Sequence, residues 1–400
     1  MSSVFITGIG IVSALGIGVE AQREKLVAGK SGLKSAVFLN SIHSNTFPFG
    51  EVPYSTEQLF SLIPVNTKLQ QSRLQALAAL ALAECFTYCS PVGTSIRQGL
   101  VNATTVGGMT DIEDRYFELI LPENQEANTD WASGLDCATG TEHLARQFGL
   151  TDFMTTVSTA CSSSANAIQY GARLLQQGIL DRVVCGGVDS LTRFTVNGFN
   201  SLKNLDKEAC KPFDANRNGL NLGEGAAYLL LETEASLQQS GNRPLAVLSG
   251  YANFNEAFHP TAPSPEGLGA FEAMKRAIEK AGLLPADISY INAHGTATLN
   301  NDESEGQAIR RLFGEHVPPF SSTKVYTGHT LAAAGAIEAV FSILSLQHQE
   351  IYPGLPFHTP MPTINLVPVK DFRQLQLKHI LSNSFGFGGN NASLVFSNYD

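Results

Sequence analysis

One cysteine and two histidines occupy positions from which this chain could do chemistry. Cys161 lies in TVSTACSSSANAI, residues 156–168. Valine, threonine and serine lead up to it, small residues follow, and then come Ile168, Tyr170, Leu174 and Leu175. The pattern predicts a strand end, a tight turn and a long apolar helix beginning near Cys161. A sulfur there is aimed at the positive end of a helix dipole, which favours the thiolate. Ser162, Ser163, Ser164 and Ala165 are small enough to let a substrate or another backbone come close. His294 ends a predicted strand in ISYINAHGT, 288–296, and His329 opens a predicted helix in VYTGHTLAAAGAIEAV, 325–340. A cysteine alone is more often a small core residue, and a single histidine in a glycine-flanked turn is more often structural. The three together, at strand ends and helix starts where α/β folds place their sites, point to a reaction centre. A thiolate makes a thioester with an acyl group. Two histidines that keep Nε–H donors can hold a developing enolate oxygen. GFGGNN, 386–391, can bring a backbone N–H beside the cysteine's own as an oxyanion hole. His43, His143, His259, His316, His348, His358 and His379 lack this context. No GxSxG elbow, P-loop or HExxH helix competes.

The elements that must position these groups read as a large α/β protein. The chain has 400 residues, 43% hydrophobic and 16% charged, which suggests about two to three domains or two closely packed halves. A formal net charge of −10 argues against nucleic acid as a partner. Six cysteines (85, 89, 137, 161, 185 and 210) form no CxxC pair and no secretory signal precedes them, so we expect reduced thiols in a cytoplasmic protein. Cys85 and Cys89, one helical turn apart, read as core packing. No uninterrupted apolar run reaches the eighteen or so residues of a membrane span. VFITGIGIVSALG, 4–16, reads as a strand running into a glycine turn at a sheet edge; its glycines fail the GxGxxG spacing. Helices are expected over 17–30, 69–86, 111–120, 137–148, 266–282 and 303–313. Buried strands are expected over 99–108, 181–190, 226–231, 244–254 and 288–296, and a further pair around the glycine turn at 386–391. Each half then holds strand, turn, reactive-type residue and buried helix. This predicts a duplicated α/β unit, 1–243 carrying the cysteine and 244–400 carrying the two histidines, with mixed sheets covered by helices on both faces.

The motifs VFITGIGIVSALG, VSTACSSS, KPFDANRNG with LGEGAA, INAHGTATLNND, SSTKVYTGHTLAAAGAIEA and SNSFGFGGNNAS run through nearly the whole chain. In them the chain resembles the β-ketoacyl-acyl-carrier-protein synthases, condensing enzymes of thiolase-like fold with αβαβα layering, and most nearly the elongating synthase II type. The resemblance implies that Cys161 accepts the acyl group and that His294 and His329 drive malonyl decarboxylation and hold the enolate. Lys324 would be a buried cation beside the histidines. The N–H groups of Cys161 and Phe387 would form the oxyanion hole, with Phe387 also gating the cysteine. Asn292, Glu305 and Glu338 would hold a structural monovalent cation or a salt-bridge network. No organic cofactor or catalytic metal is implied. The implied partners are acyl carrier protein and, in a dimer, a second copy or a paralogous synthase or chain-length-factor subunit. Lys68, Arg73 and Lys203 are the candidates for a basic patch that docks an acidic carrier protein. The chain departs from the usual pattern at NTKLQQSRLQALAA, at 109–140, and at Leu220 and Ala332, where phenylalanine and glycine are common. The departures fit a synthase of a secondary, polyene-type pathway. A thiolase-type acyltransferase would carry a second cysteine in the GFGGNN segment, which has none. A non-catalytic chain-length subunit would usually lack the nucleophile.

Overall fold

The computed structural model describes residues 3–64, 72–87, 89, 93, 95–120 and 134–399. The first part of the chain forms β1 (Phe5–Ser13), β2 (Gly16–Ile17), α1 (Val19–Val27), α2 (Thr56–Ser61), α3 (Arg73–Cys85), β3 (Gln98–Ala103), α4 (Met109–Ile120), α5 (Cys137–Gln147), β4 (Phe153–Val157), α6 (Ser163–Gln176), β5 (Arg182–Asp189), α7 (Arg193–Ser201) and β6 (Gly225–Glu232). The second forms α8 (Glu234–Ser240), β7 (Ala246–Asn255), α9 (Leu268–Lys280), β8 (Tyr290–Asn292), α10 (Leu299–Phe313), β9 (Phe320–Ser321), α11 (Lys324–Thr327), α12 (Ala334–His348), β10 (Glu350–Ile351), β11 (Arg373–Gln374), β12 (His379–Gly386) and β13 (Asn390–Ser397).

Two groups of five strands share one topology. The strands follow the order β4-β3-β5-β6-β1 and continue as β7-β13-β12-β8-β9. Numbered within its own half, each group runs 3-2-4-5-1. In both, strand 2 is parallel to strands 3 and 4, and strand 5 is antiparallel to strands 4 and 1. The groups meet through two residue pairs of β1 and β7, Phe5 with Val247 and Ile6 with Ala246. Helices α6 and α12, each lying between strands 3 and 4 of its half, pack on each other and on strands of both groups. Helices α3 and α5 cover the outer face of the first group, and α9 with α10 covers that of the second. The result is the layering helix, sheet, helix, sheet, helix that the resemblance implied.

Burial explains the composition of these layers. β1 is buried along its whole length, as a strand covered on both faces must be. Gly8 and Gly10 lie inside β1, not in a turn as expected from the sequence; the turn falls at Ala14 and Leu15. Their role is close packing. A β-carbon on Gly8 would stand 2.2 Å from the Cys85 carbonyl oxygen, and one on Gly10 2.0 Å from that of Ala81, both on α3. The alanines of α3 serve the same contact, and Ser72 caps that helix by accepting from Gln75 N–H at 3.2 Å. Helix α12 is buried from Ala334 to Leu346. The 18 residues Leu331–His348 have a mean hydropathy of 1.3, long and apolar enough for a membrane span, yet 89% of them are buried inside the molecule. Glu338 and Gln347 interrupt the stretch, and its apolarity serves the middle layer.

Candidate active site

Two of the three reactive residues, Cys161 and His329, stand at equivalent places in the repeated unit, between strand 3 and the central helix of each half, and His294 follows strand 2 of the second. Cys161 precedes α6, His329 precedes α12, and His294 follows β8. Each lies within three residues of a non-glycine residue held in the left-handed region: Ala160 at φ 52°, Leu331 at φ 51° and Ala297 at φ 66°. Such backbone costs about 1–3 kcal/mol per residue and is kept where surrounding structure enforces it, often at functional sites. Helix α6 begins at Ser163, two residues later than the sequence suggested.

The structure brings Cys161, His294 and His329 together. The Cys161 sulfur and a ring nitrogen of each histidine all lie within 4.8 Å of one another. All three residues are buried. The histidine rings meet edge to face, 5.5 Å between centroids at 86°. They end a cavity of about 290 Å³ whose outer lining includes the exposed Leu202, Lys203 and Leu299.

His294 is held by two side chains, Glu305 and Lys324. Its backbone N–H donates to Glu305 Oε1 at 2.9 Å, and that of Gly295 to Oε2 at 2.8 Å. Lys324 Nζ donates to the His294 carbonyl at 2.7 Å and lies 3.2 Å from its Nδ1. An ammonium can only donate, so Nδ1 is the acceptor and the ring proton sits on Nε2. Lys324 is fully buried and pairs with Glu338 of α12. Burial first, then the Lys324 charge, pushes both histidines well below the ordinary 6.5, and they are neutral at pH 7. His329 is placed by its backbone, which donates to Asn221 carbonyl at 2.7 Å and accepts from Gly223 N–H at 2.9 Å. Among the described residues neither of its buried ring nitrogens has a hydrogen-bond partner. A buried imidazole left unpaired is costly unless a ligand completes it.

The thiol is less acidic than its place before a helix suggested. Burial pushes Cys161 up to about 11, against the Lys324 charge and the N–H groups of Phe387 and of Cys161 itself. Desolvation outweighs the dipole here. Phe387 lines the same cavity as Cys161. The Phe387 ring stacks on Phe199, 5.7 Å between centroids at 20°.

Cysteine with two histidines is also a ligand set that zinc takes. The Lys324 ammonium at 3.2 Å from His294 opposes a second cation there. Of the expected cation-binding group, Glu305 spends its oxygens on His294, Gly295 and Asn383, and Glu338 Oε1 on Lys324. Asn292 Nδ2 donates to the Glu338 carbonyl at 3.2 Å. Glu338 Oε2 is buried and has no partner among the described residues. Burial pushes both carboxyls up to about 7.

The docking residues divide three ways. Lys68 lies outside the described residues. Lys203 is exposed and lines the cavity mouth. Arg73 is a correction: only 7% of it is exposed. Its guanidinium donates to both oxygens of Glu224 and to the carbonyls of Tyr54 and Val52. A helix start flanked by polar residues suggested solvent, but a partner 151 positions away holds it inside. Residues missed from the sequence include Phe199, Leu202 and the polar wall Asn204, Asn218, Thr296 and Thr298. The threonines stand in the motif that carries His294, which was a signal; nothing local marks Phe199 or Leu202. Leu220, one of the departures noted above, also lines the cavity.

Comparison with known proteins accords with this geometry. Residues 1–236 match the model for the beta-ketoacyl synthase N-terminal domain, and 245–358 that for the C-terminal domain. The chain is 32% identical over 412 residues to 3-oxoacyl-[acyl-carrier-protein] synthase 2 of Staphylococcus aureus (strain COL), covering 99% of this chain and 98% of that one. Among solved structures it resembles the ishigamide ketosynthase/chain length factor, with a TM-score of 0.91, 27% identity and full coverage of both chains. It also resembles the ketosynthase ApeO, in complex with its chain length factor ApeC, from Xenorhabdus doucetiae, with a TM-score of 0.84, 30% identity and coverage of 100% and 98%. With two matched domains spanning most of its length around a buried cysteine and two histidines, the chain belongs to the β-ketoacyl synthase family.

Proposed function

We propose that this protein condenses a Cys161-bound acyl group with malonyl-acyl-carrier protein, releasing carbon dioxide and a 3-ketoacyl-carrier protein two carbons longer. The observation that carries this reading is a thiol facing two neutral histidines within 4.8 Å, one ring held as an Nε2–H donor by Lys324. In the first half-reaction the thiol proton passes to His329, whose ring nitrogens have no other partner among the described residues. The sulfur attacks the carrier thioester, and the oxyanion takes the N–H groups of Cys161 and Phe387. The departing pantetheine sulfur then recovers the proton. In the second, the malonyl carboxylate leaves as carbon dioxide and its electron pair forms an enolate. N–H groups of His294 and His329 hold the enolate oxygen. The enolate carbon attacks the thioester carbonyl and Cys161 thiolate leaves. Decarboxylation makes the carbanion without a strong base, so no catalytic carboxylate is needed. We read 1–243 as the half that supplies the nucleophile and 244–400 as the half that supplies both histidines. Six free cysteines suit a reducing, cytoplasmic setting.

Intact mass spectrometry tests the reading. The protein is mixed with acyl-carrier proteins, saturated and polyunsaturated, and then with malonyl-carrier protein. We expect an acyl adduct that malonyl-carrier protein chases to ketoacyl product. Adduct without chase would make this a transferase of another kind; no adduct with any acyl group would favour the chain-length-subunit reading. Which acyl class loads tests the assignment to a polyene-type pathway.

A dimer partner fits the edge of β4. Among the described residues that strand ends the sheet, and it is half-buried at each residue from Phe153 to Val157. A β-branched edge strand left open is a template for pairing, and the relative from Xenorhabdus doucetiae is seen with a chain length factor.

Carrier docking is assigned to Lys203 alone of the described candidates. Lys203→Glu should raise the carrier KM by about three- to tenfold at low salt with kcat unchanged, an effect that fades as salt is added. Arg73→Ala should leave KM alone and instead lower stability by about 3–5 kcal/mol, because it strands Glu224 in the interior. Steady-state kinetics and urea melts of the two variants separate the roles.

A further inference from the structure

We infer that Asn390 is a positioning residue that locks together the two halves of the oxyanion hole. The inference rests on the roles proposed above for Cys161 and Phe387. One donor of that hole, Cys161 N–H, belongs to the turn before α6; the other, Phe387 N–H, belongs to the turn between β12 and β13. The two turns come from different halves of the chain, so their separation is not set by any single element. Asn390 closes the second turn. Its Oδ1 accepts from Ser162 Oγ at 2.8 Å, Asn166 Nδ2 at 2.8 Å and Asn253 Nδ2 at 2.7 Å.

Ser162 is the residue after the nucleophile, and Asn166 lies one helical turn further along α6. Ser162 Oγ also lies 2.8 Å from the Thr159 carbonyl, a second acceptor that shares its one proton, and Asn166 Nδ2 donates to Thr159 Oγ1 at 2.9 Å. Thr159 N–H in turn donates to Ser163 Oγ at 2.8 Å. The turn that carries Cys161 is thereby tied into one network around Asn390. Apart from the stacking of Phe387 on Phe199, two further fastenings of residues 386–391 stay within their own half: Gly388 N–H to the Pro260 carbonyl at 2.7 Å, and Glu256 N–H to the Gly389 carbonyl at 3.0 Å. Among the described residues, the hydrogen bonds that tie the Phe387 turn to the Cys161 turn both end on Asn390 Oδ1. Gly388 and Gly389, at φ 80° and 78°, leave the turn little stiffness of its own. Three donors converging on one oxygen make a site that a carboxylate would also satisfy, so aspartate should replace asparagine and alanine should not.

The test compares wild type, Asn390→Ala, Asn390→Asp and Asn166→Ala. Two readouts are taken: single-turnover acyl transfer to Cys161, and the pH profile of Cys161 alkylation by iodoacetamide. We expect Asn390→Ala to slow transfer by roughly tenfold to a hundredfold at unchanged carrier KM, the scale of a displaced oxyanion donor. Its alkylation profile should move to higher pH, because the Phe387 N–H no longer steadies the thiolate. Asn390→Asp should stay within about threefold of wild type on both readouts. Asn166→Ala, which removes one cross-half bond from the other side, should shift both in the direction of Asn390→Ala and carries the test if that variant does not fold. Wild-type transfer and alkylation in both alanine variants would overturn the inference. A wild-type protein that does not acylate at Cys161 would instead sink the proposed function, and the alkylation profiles would still decide whether Asn390 orders the turn.

Discussion

Cys161→Ala should end acyl transfer and chain elongation by at least about a thousandfold while malonyl-carrier decarboxylation continues. The geometry separates the two tasks. The covalent step needs the sulfur, whereas decarboxylation needs only N–H donors at the enolate oxygen, and those come from His294 and His329. The ring of His294 keeps its proton on Nε2 because Lys324 donates to Nδ1, a bond that does not pass through Cys161. The variant also removes the thiol from the site's titration, leaving the two histidines and the buried carboxyls Glu305 and Glu338. Burial and the Lys324 charge hold both rings well below 6.5. Histidine protonation should therefore leave decarboxylation by the variant unchanged from pH 8 down to 6.5, where only Glu305 and Glu338 titrate, and lower it steeply below the ordinary histidine range, as the rings gain protons and lose the acceptor that fixes them. The same depression makes folding stability decline as pH drops below 6.5, because the unfolded chain binds those protons first. Carbon dioxide release from labelled malonyl-carrier protein, with intact mass to show the missing adduct, checks both expectations. A variant that loses decarboxylation in step with transfer would mean the sulfur takes part in breaking the carboxylate bond, and the division of labour would fall.

The site was legible in the sequence where its residues fall on a repeated local pattern. Cys161 and His329 each precede a small-residue helix, and His294 follows a short strand; those patterns are readable at a spacing of a few residues. The order of elements was legible for the same reason, since apolar stretches such as β5 and α12 announce themselves. What escaped is set by contacts between distant residues. Arg73 looked solvent-facing because its partner Glu224 lies 151 positions away, just before β6. Gly8 and Gly10 looked like a turn because the backbone of α3 that presses on them begins more than sixty residues later. The acidity of Cys161 was misjudged because a dipole can be inferred from a helix start, whereas desolvation depends on everything packed around it. The three bonds to Asn390 join residues 137 to 228 positions apart, beyond the reach of any local pattern.

Lys324→Ala should be the most damaging single change to the fold at this site. The amine pairs with Glu338 and donates to two acceptors on His294, all of them buried. Truncation leaves Glu338 without a cation while its second oxygen already lacks a partner among the described residues. Removing one member of a buried pair costs about 3–5 kcal/mol. The loss should depend on pH in a definite sense. Burial raises Glu338 to about 7 even with Lys324 beside it, and without Lys324 it rises further. A carboxyl raised in the folded state costs stability as pH climbs from its unfolded value to its folded one. Below about pH 7 both proteins hold Glu338 protonated and bear the same cost; above it, only the wild type can ionise the group cheaply. The deficit of Lys324→Ala should therefore widen between pH 6 and pH 8 in urea melts. Adding Glu338→Gln removes the stranded charge and should recover most of the stability at pH 8. Decarboxylation should stay depressed by about a hundredfold in the double variant, because the His294 proton is no longer directed to Nε2. If stability and decarboxylation recover together, Lys324 acts only as a counter-ion for Glu338; if stability alone recovers, its bond to Nδ1 is what orients the histidine.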